Sequence, residues 1–192
     1  MQLVLPAHAH LGAYTAALQR GWSPDNIRGA AAARDELERI AADADDFLAW
    51  MDDVDARGPL VTLPDGRQVP RLPGLRRWMW DDAPGVADAE RFIGSINLRW
   101  MPGHAALPPH VLGHIGYAVT PWHGSRGHGT QALAQLLHVA LQHGLPMVEL
   151  TTDPGNIASQ KVITNNGGVL VEAFNKGPSY GNAPGLRFRI TL

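Results

Sequence analysis

A glycine-rich segment directly precedes a run of apolar residues with helical spacing. In the stretch TPWHGSRGHGTQALAQLLHVAL, which starts at Thr120, glycine occupies positions 124, 127 and 129. Glycines let successive backbone N–H groups turn toward one point, and a helix beginning near Thr130 adds its positive N-terminal end. The pattern predicts a nest for a phosphate or pyrophosphate group. A strand-to-helix loop with incidental glycines is the alternative interpretation.

Two known phosphate-binding motifs fit this segment less well. A mononucleotide P-loop requires Gly-Lys-Ser/Thr, and the segment contains no lysine. The dinucleotide motif G-x-G-x-x-G/A is satisfied by Gly127, Gly129 and Ala132, with Glu149 near the place of a ribose-binding acid. That motif should open a parallel βαβ array, whereas here antiparallel strands are predicted before the loop and only one crossover after it. The dinucleotide interpretation is therefore disfavoured.

Composition restricts the class of protein. The 192 residues are 45% hydrophobic and 18% charged, which is typical of one globular domain, and a net charge of −2 argues against a nucleic-acid binder. The absence of cysteine excludes disulfides and thiolate catalysis. We find no run of 18 apolar residues and no secretory signal, so we expect a cytoplasmic protein without a membrane span. The nine histidines lack a metal-binding spacing, so no metal is expected.

Hydrophobic spacing predicts helices first and strands next. We expect an edge strand at Leu3–Leu5, a helix at His8–Arg20 with Leu11, Tyr14, Thr15 and Leu18 on its apolar face, and one or two helices over Ala31–Val54, with DADD as their joint. An Asp-Gly turn follows in VTLPDGRQVPRL. The segments GLRRWMWDD, RFIGSINLRWM and VLGHIGYAVT read as strands, and their short links imply antiparallel pairing.

The part after the glycine loop alternates helices and strands. A helix is predicted at Thr130–His143, ended by Gly144, with an apolar face formed by Leu133, Leu136, Leu137, Ala140 and Leu141. The strand MVELTT, the short helix NIASQKVITNN and the strands GGVLVEAF and LRFRITL complete the chain. The predicted fold class is α+β with a mixed, mostly antiparallel sheet, a central strand–helix–strand crossover and flanking helices.

Two motifs at their usual separation resemble those of the GNAT N-acetyltransferase superfamily. GYAVTP followed by GSRGHG resembles motif A, with Gly127 and Gly129 on its small-residue positions, although Gly124 stands where Gln or Arg is usual. TTDPGNIASQKVITNNGGVLVE resembles motif B through Asn156, Ser159, Lys161 and Gly167-Gly168. The resemblance implies one GNAT domain over residues 1–192, with a helical part at 1–58 and a sheet and CoA-binding core at 59–192.

The resemblance also implies where acetyl-CoA binds. The co-substrate would lie between the strands HIGYAVT and MVELTT, with a bulge near Gly116 directing an N–H toward the thioester carbonyl. Asn156 and Ser159 would lie along the pantetheine. The remaining implied contacts are main-chain pairing with pantetheine by Tyr117, Ala118 and Val119, and pyrophosphate binding by Gly124, Ser125, Arg126, Gly127, His128, Gly129 and Thr130.

The catalytic groups are less well specified. His114 is the leading candidate for a general base, since its ordinary pKa suits neutral pH, and a structural histidine bonded to a neighbouring strand is the open alternative. Glu149 and Asp153 are further candidates. The tyrosine that protonates the thiolate in relatives is replaced by Ile163, which leaves Tyr180 or solvent as the acid.

The implied activity is direct acetyl transfer to an amine of a small molecule, amino acid or peptide. Trp100 and Trp122 fall near the expected acceptor mouth. A non-catalytic acyl-CoA sensor on the same fold is the alternative function. A homodimer through the edge of the last strands is a further expectation.

Overall fold

The computed structural model describes residues 1–63 and 65–192, which form helices and β-strands. In chain order these elements are β1 (Gln2–Val4), α1 (His8–Gln19), α2 (Ala30–Ala42), α3 (Ala44–Ala49), β2 (Asp52–Asp53), β3 (Val61–Thr62), β4 (Gln68–Val69), β5 (Gly74–Trp80), β6 (Phe92–Arg99), β7 (Ile115–Val119), α4 (His128–Gln142), β8 (Met147–Thr152), α5 (Ile157–Thr164), β9 (Val169–Asn175) and β10 (Pro184–Thr191). The larger sheet has the order β1-β5-β6-β7 with β2 also paired to β5, the smaller sheet has the order β8-β10-β9, and β3 and β4 form a hairpin.

The chain divides into two compact units, each made of three segments. The first comprises Met1–Asp52, Leu75–Asn97 and Tyr117–Ala132. The second comprises Asp53–Gly74, Leu98–Gly116 and Leu133–Leu192. No described helix is long and apolar enough to cross a membrane.

Aromatic side chains fill the core of the first unit. The Tyr14 ring stacks on Trp78 with centroids 4.2 Å apart, and Phe92 meets Tyr14 edge-on at 5.1 Å. Offset and edge-on arrangements of this kind are the favoured geometries of aromatic pairs. The strand β5 that carries Trp78 is thereby fixed against α1. The buried members of this core are Ala13, Tyr14, Ala17, Leu18, Trp22, Ala33, Phe47, Met51, Trp78, Trp80, Phe92 and Ala118.

A polar group is satisfied inside this aromatic core. The Tyr14 hydroxyl donates to the Glu36 carboxylate, which also accepts from Nη1 of Arg76 at 2.9 Å. Burial foremost, and then the Glu36 charge, raises the pKa of Tyr14 well above its ordinary value. The phenol therefore stays protonated and acts as a donor, as a buried hydroxyl must.

The second unit contains the sheet β8-β10-β9, which is antiparallel throughout. β8 pairs with β10 so that Leu150 faces Phe188 and Val148 faces Ile190, and all four side chains are buried. Alternation along β10 is therefore as predicted for a half-buried strand. β9 is an edge strand whose pairing with β10 shifts register between Arg187 and Phe188, and most of its residues are exposed.

Most predicted elements are confirmed, and the joint in Ala31–Val54 falls inside DADD. Asp43 ends α2 and caps α3, because its carboxylate accepts from the Asp46 amide at 2.9 Å. The helical prediction to Val54 is wrong, since α3 ends at Ala49. Asp53 instead turns the chain by accepting from the amides of Arg57 and Gly58 at 2.7 and 3.0 Å.

Two predicted helix faces need correction. In α1 the buried residues are Ala13, Tyr14, Ala17 and Leu18, whereas Thr15 turns its hydroxyl back to the Leu11 carbonyl. α4 begins at His128, two residues before the predicted start, and Leu141 is 55% exposed instead of buried. The predicted Asp-Gly turn at Asp65 is confirmed in the β3–β4 hairpin, while Pro64, in the same predicted segment, lies outside the described residues.

Candidate functional site

The glycine loop alternates left-handed and other backbone conformations before α4. Ser125 has φ 59° and Gly127 has φ 80°, whereas Gly124 is extended. Among residues 1–63 and 65–192, no backbone carbonyl accepts from the amides of Ser125, Arg126 or Gly127. Successive unbonded amides in such a turn, at the start of a 15-residue helix, form an anion-binding concavity.

The loop also shows strain and open space. A left-handed conformation costs a non-glycine residue such as Ser125 roughly 1–2 kcal/mol, and strain of this kind concentrates at functional sites. A Cβ at Gly127 would meet nothing within 4 Å, so the requirement for glycine there is conformational rather than steric. At Gly124 a Cβ would lie 3.2 Å from the Pro121 carbonyl, which gives a local reason for glycine where Gln or Arg is usual.

Three groups around the loop can carry positive charge. Arg126 is exposed, and the rings of His123 and His128 lie 6.2 Å apart. Burial, reinforced by Arg126, lowers the pKa of both histidines below the ordinary 6.5; the chain's N-terminal amine also lowers the pKa of His128. Both rings are therefore mainly neutral at pH 7 in the free protein, and Arg126 is the loop's permanent cation.

One residue that holds this loop was missed from the sequence. Thr120 is fully buried, its amide donates to the Ile93 carbonyl at 2.8 Å, and its Oγ1 lies 2.9 Å from His123 Nδ1. It therefore ties the end of β7 to the turn that precedes the glycines. The available signal was a threonine at a strand end directly before proline.

His114, in the second unit, is held on both its backbone and its side chain. Its amide donates to the Glu149 carbonyl at 2.7 Å, and its Nδ1 accepts from the Glu149 amide at 3.0 Å. The ring is fully buried. Because an amide only donates, Nδ1 carries the lone pair and the neutral ring carries its proton on Nε2.

Burial is the main cause that lowers the pKa of His114. The nearby Glu149 charge and the Ala105 backbone oppose that change, and Arg99 reinforces it. A neutral ring whose only lone pair already holds an N–H must break that bond to take a proton. This geometry favours the structural role of His114, in which two hydrogen bonds to the Glu149 backbone join the residue before β7 to β8. Its role as a general base stays a prediction.

The other predicted catalytic side chains each have a partner. The Glu149 carboxylate forms an ion pair with Arg189 at 2.7 Å and lies 3.8 Å from Arg187. The Tyr180 hydroxyl donates to the His110 carbonyl at 3.4 Å. Asp153 pairs with Lys176. Of these candidates, the structure brings His114 and Glu149 together through backbone and ring.

The motif B helix begins as its sequence suggests. The Asn156 side chain caps α5 by accepting from the Ser159 amide at 3.0 Å. Such a cap stabilises a helix by about 1 kcal/mol. Its Oδ1 is thus occupied by the helix cap, and the predicted contact of Asn156 with pantetheine stays a prediction.

The two tryptophans predicted near the acceptor have different surroundings. The Arg20 guanidinium lies 4.0 Å from the centre of the Trp122 ring and covers one of its faces. The same tryptophan packs against the aromatic core. Trp100 lies 4.5 Å from the His143 ring, beside a cavity of about 410 Å³. Within the described ranges, no three potential metal ligands come together.

Comparison with known proteins decides the family. A sequence model of the acetyltransferase (GNAT) domain matches residues 34–169. The chain belongs to the GNAT acetyltransferase family. It is therefore an acetyltransferase, and the dinucleotide interpretation of its glycine loop is set aside. No curated protein matches this chain.

Solved GNAT structures share the fold over nearly the whole chain. A Vibrio cholerae protein, named as a candidate ribosomal-protein-serine acetyltransferase, is 14% identical, with a TM-score of 0.59 over 100% of this chain and 93% of that one. The Microcin C7 self-immunity acetyltransferase MccE, in complex with acetyl-CoA and AMP, is 11% identical, with a TM-score of 0.56 over 99% and 91%. The ribosomal L7/L12 α-N-protein acetyltransferase RimL, in complex with CoA, is 12% identical, with a TM-score of 0.57 over 99% and 93%. Together they confirm the predicted fold class.

Proposed function

We propose that this GNAT protein transfers the acetyl group of acetyl-CoA directly to a primary amine of a small molecule, amino acid or peptide. The observation that carries the proposal is the strained loop before α4, with φ values of 59° at Ser125 and 80° at Gly127. Two of the similar structures hold acetyl-CoA or CoA, which supports acetyl-CoA as the co-substrate.

The loop fits the pyrophosphate of this co-substrate. The amides of Ser125, Arg126 and Gly127 would donate to its oxygens, the α4 N-terminus would add its positive end, and Arg126 would balance charge. The main chain of Tyr117–Val119 would pair with the pantetheine as an added strand does. Asn156 Nδ2 would bond the pantetheine while its Oδ1 keeps the helix cap.

The transfer exchanges a carbon–sulfur bond for a carbon–nitrogen bond and removes two protons from the ammonium nitrogen. The first passes to a base before attack, the second leaves as the amide forms, and the thiolate takes up one proton in return. The amine nitrogen forms a bond to the acetyl carbon as the carbon–sulfur bond breaks, and the thiolate leaves. Because an ammonium is no nucleophile, its proton must first pass to a base. Since the Nδ1 of His114 holds the Glu149 amide and the Glu149 carboxylate holds Arg189, we infer that water accepts this proton, with His114 as the side chain to test. Tyr180 or solvent would protonate the thiolate.

The names of the similar proteins do not narrow the acceptor to one class. One is named for a protein serine, one for a protein α-amine and one for self-immunity to a microcin. A panel should therefore contain a polyamine, free amino acids and short peptides with free N-termini.

Thiol release from acetyl-CoA over that panel, with mass spectrometry of the acceptor, tests the proposal. We expect one class to gain the mass of one acetyl group less one hydrogen atom, with release of one thiol per acceptor. CoA binding without turnover on any amine would instead support the alternative function, an acyl-CoA sensor. Absence of CoA binding would contradict both functions.

A further inference from the structure

Gly94 in β6 occupies a position where β7 leaves no room for a side chain. A Cβ built there would lie 2.4 Å from the Ala118 carbonyl oxygen and 2.9 Å from Val119 Cα. Contacts below 3.0 Å are essentially never made by real Cβ atoms, so the Ala118 oxygen would have to move by at least 0.6 Å. The obstacle is backbone, which has no rotamer that relieves it.

The surroundings restrict how β7 can respond. The Thr120 amide donates to the Ile93 carbonyl at 2.8 Å, and this bond holds the end of β7 to β6 next to Gly94. The Ala118 side chain is 8% exposed and belongs to the aromatic core with Phe92. A side chain at position 94 would therefore displace the Ala118–Val119 peptide away from β6 while both flanks stay fixed.

We infer that Gly94 is a positioning residue, which sets the place of the Ala118–Val119 backbone for pairing with pantetheine. The inference rests on the proposed function, because the displaced peptide belongs to the Tyr117–Val119 segment assigned to that pairing. Hydrogen bonds weaken steeply as their geometry departs from the optimum. A shift of 0.6 Å or more at one peptide should remove about one net hydrogen bond, which corresponds to a roughly tenfold loss of affinity.

Gly74 is a second strand glycine at which a side chain would meet a backbone oxygen, but the approach there is less close than at Gly94. At Gly74, the first residue of β5, a Cβ would lie 2.9 Å from the Leu98 carbonyl oxygen. Gly74→Ala therefore introduces a comparable but milder clash between β5 and β6 without contacting β7. It is the matched control for a general cost of crowding this sheet.

The test compares Gly94→Ala, Gly74→Ala and the unaltered protein in binding two ligands by calorimetry. The ligands are CoA and adenosine 3′-phosphate 5′-diphosphate, which retains the diphosphate of CoA and lacks pantetheine. We expect Gly94→Ala to lose roughly tenfold in affinity for CoA and less than about twofold for the fragment. Gly74→Ala should bind both ligands as the unaltered protein does.

Two results would overturn the inference while leaving the proposed function intact. One is a Gly94→Ala protein that keeps its CoA affinity within twofold. The other is an equal loss for CoA and the fragment, which indicates a general structural defect. Failure of the unaltered protein to bind CoA would overturn the proposed function itself, and the inference with it.

A second measurement covers the case in which Gly94→Ala does not fold. Amide hydrogen exchange of the unaltered protein should slow at Tyr117–Val119 with CoA and stay unchanged there with the fragment. Equal exchange with both ligands would remove the pantetheine pairing that Gly94 is inferred to position, and the inference with it.

Discussion

The hydrogen bond from the Glu149 amide to His114 Nδ1 predicts different outcomes for two substitutions of this histidine. His114→Ala removes the ring and leaves the Glu149 amide without the acceptor that it has at 3.0 Å. His114→Asn also removes ring atoms, but its Oδ1 stands at the same number of bonds from Cα as Nδ1 and can accept from that amide. The pair therefore separates loss of the hydrogen bond from loss of volume.

The magnitudes follow from complete burial of the ring. An unsatisfied buried amide costs about 1–3 kcal/mol, and truncation of a buried ring adds a cavity cost of about 2 kcal/mol. We expect His114→Ala to lower the free energy of unfolding by about 3–5 kcal/mol. His114→Asn should lower it too, but the loss should be smaller by about 1–3 kcal/mol, because the amide keeps an acceptor. Urea unfolding followed by circular dichroism measures both values.

The pH dependence supplies a second readout. The pKa of His114 is lowered in the folded protein, so the unfolded chain binds a proton more readily near 6.5 than the folded one does. This contribution to stability is present above pH 6.5 and is lost as the pH falls from 6.5 through the folded-state pKa. His114→Asn should lack that loss relative to the unaltered protein. Equal destabilisation by His114→Asn and His114→Ala would show that the hydrogen bond to the Glu149 amide does not contribute to stability.

The same variants separate the two roles of His114 in catalysis. Loss of a general base lowers the acetylation rate by about 10²-fold at the low end, and Asn cannot replace it. If His114 only holds the strands, His114→Asn should keep most of the rate with an unchanged pH–rate profile. If it is the base, both variants should lose the rate and the ionisation that governs it.

Three further predictions follow from the contacts. The pKa values of His123 and His128 are lowered by burial, and a bound diphosphate favours their charged forms, so affinity for dephospho-CoA should increase as the pH falls below 7. Calorimetry should show this in the His138→Asn control and not in a protein with both loop histidines changed to Asn; the neighbouring charges Asp81, Glu90, Arg126 and the N-terminus stay constant between them. Glu36→Gln should lower the free energy of unfolding by about 2 kcal/mol, less than for a fully buried ion pair because the pair with Arg76 is partly exposed to solvent. Glu38→Gln, exposed on the same helix, should leave that free energy unchanged within about 0.5 kcal/mol. Asn156→Asp should keep the α5 cap and the unfolding midpoint but weaken CoA binding, and undiminished binding would remove Asn156 from the site.

Local signals were sufficient for much of the fold. The end of α4 follows from Gly144, whose amide bonds the Leu141 carbonyl, and the start of α5 follows from Asn156. The glycine loop was also predictable, because its conformation depends on residues within it. These features need no information from distant parts of the chain.

Features decided by distant contacts were not predictable. α1 buries Ala13 and Ala17 beside Tyr14, since its aromatic partners on other elements determine which face packs. Asp53 ends the helical section through the amides of Arg57 and Gly58, although Asp52 and Asp53 continue a helical pattern in the sequence.

The candidate site shows the same division. The sequence left His114 open between a base and a structural histidine, because it does not show that the Glu149 amide meets Nδ1. It placed Trp122 near an acceptor but gave no sign that Arg20 covers one face of its ring. The importance of Gly94 depends on a backbone 24 positions away in the chain, at Ala118.

Whether the loop before α4 binds the pyrophosphate of acetyl-CoA is decided by the affinity of Gly127→Val for CoA. Gly85→Val is the matched control, since Gly85 has φ 82° against 80° at Gly127 and both have open space around a Cβ. In both variants the free segment should relax away from its left-handed conformation, at a similar cost in stability. Calorimetry should show at least a roughly thirtyfold loss of CoA affinity for Gly127→Val, because its loop must regain that conformation to bind, at about 2 kcal/mol, and none for Gly85→Val. Equal CoA affinity in the two variants would show that the loop before α4 does not hold the pyrophosphate.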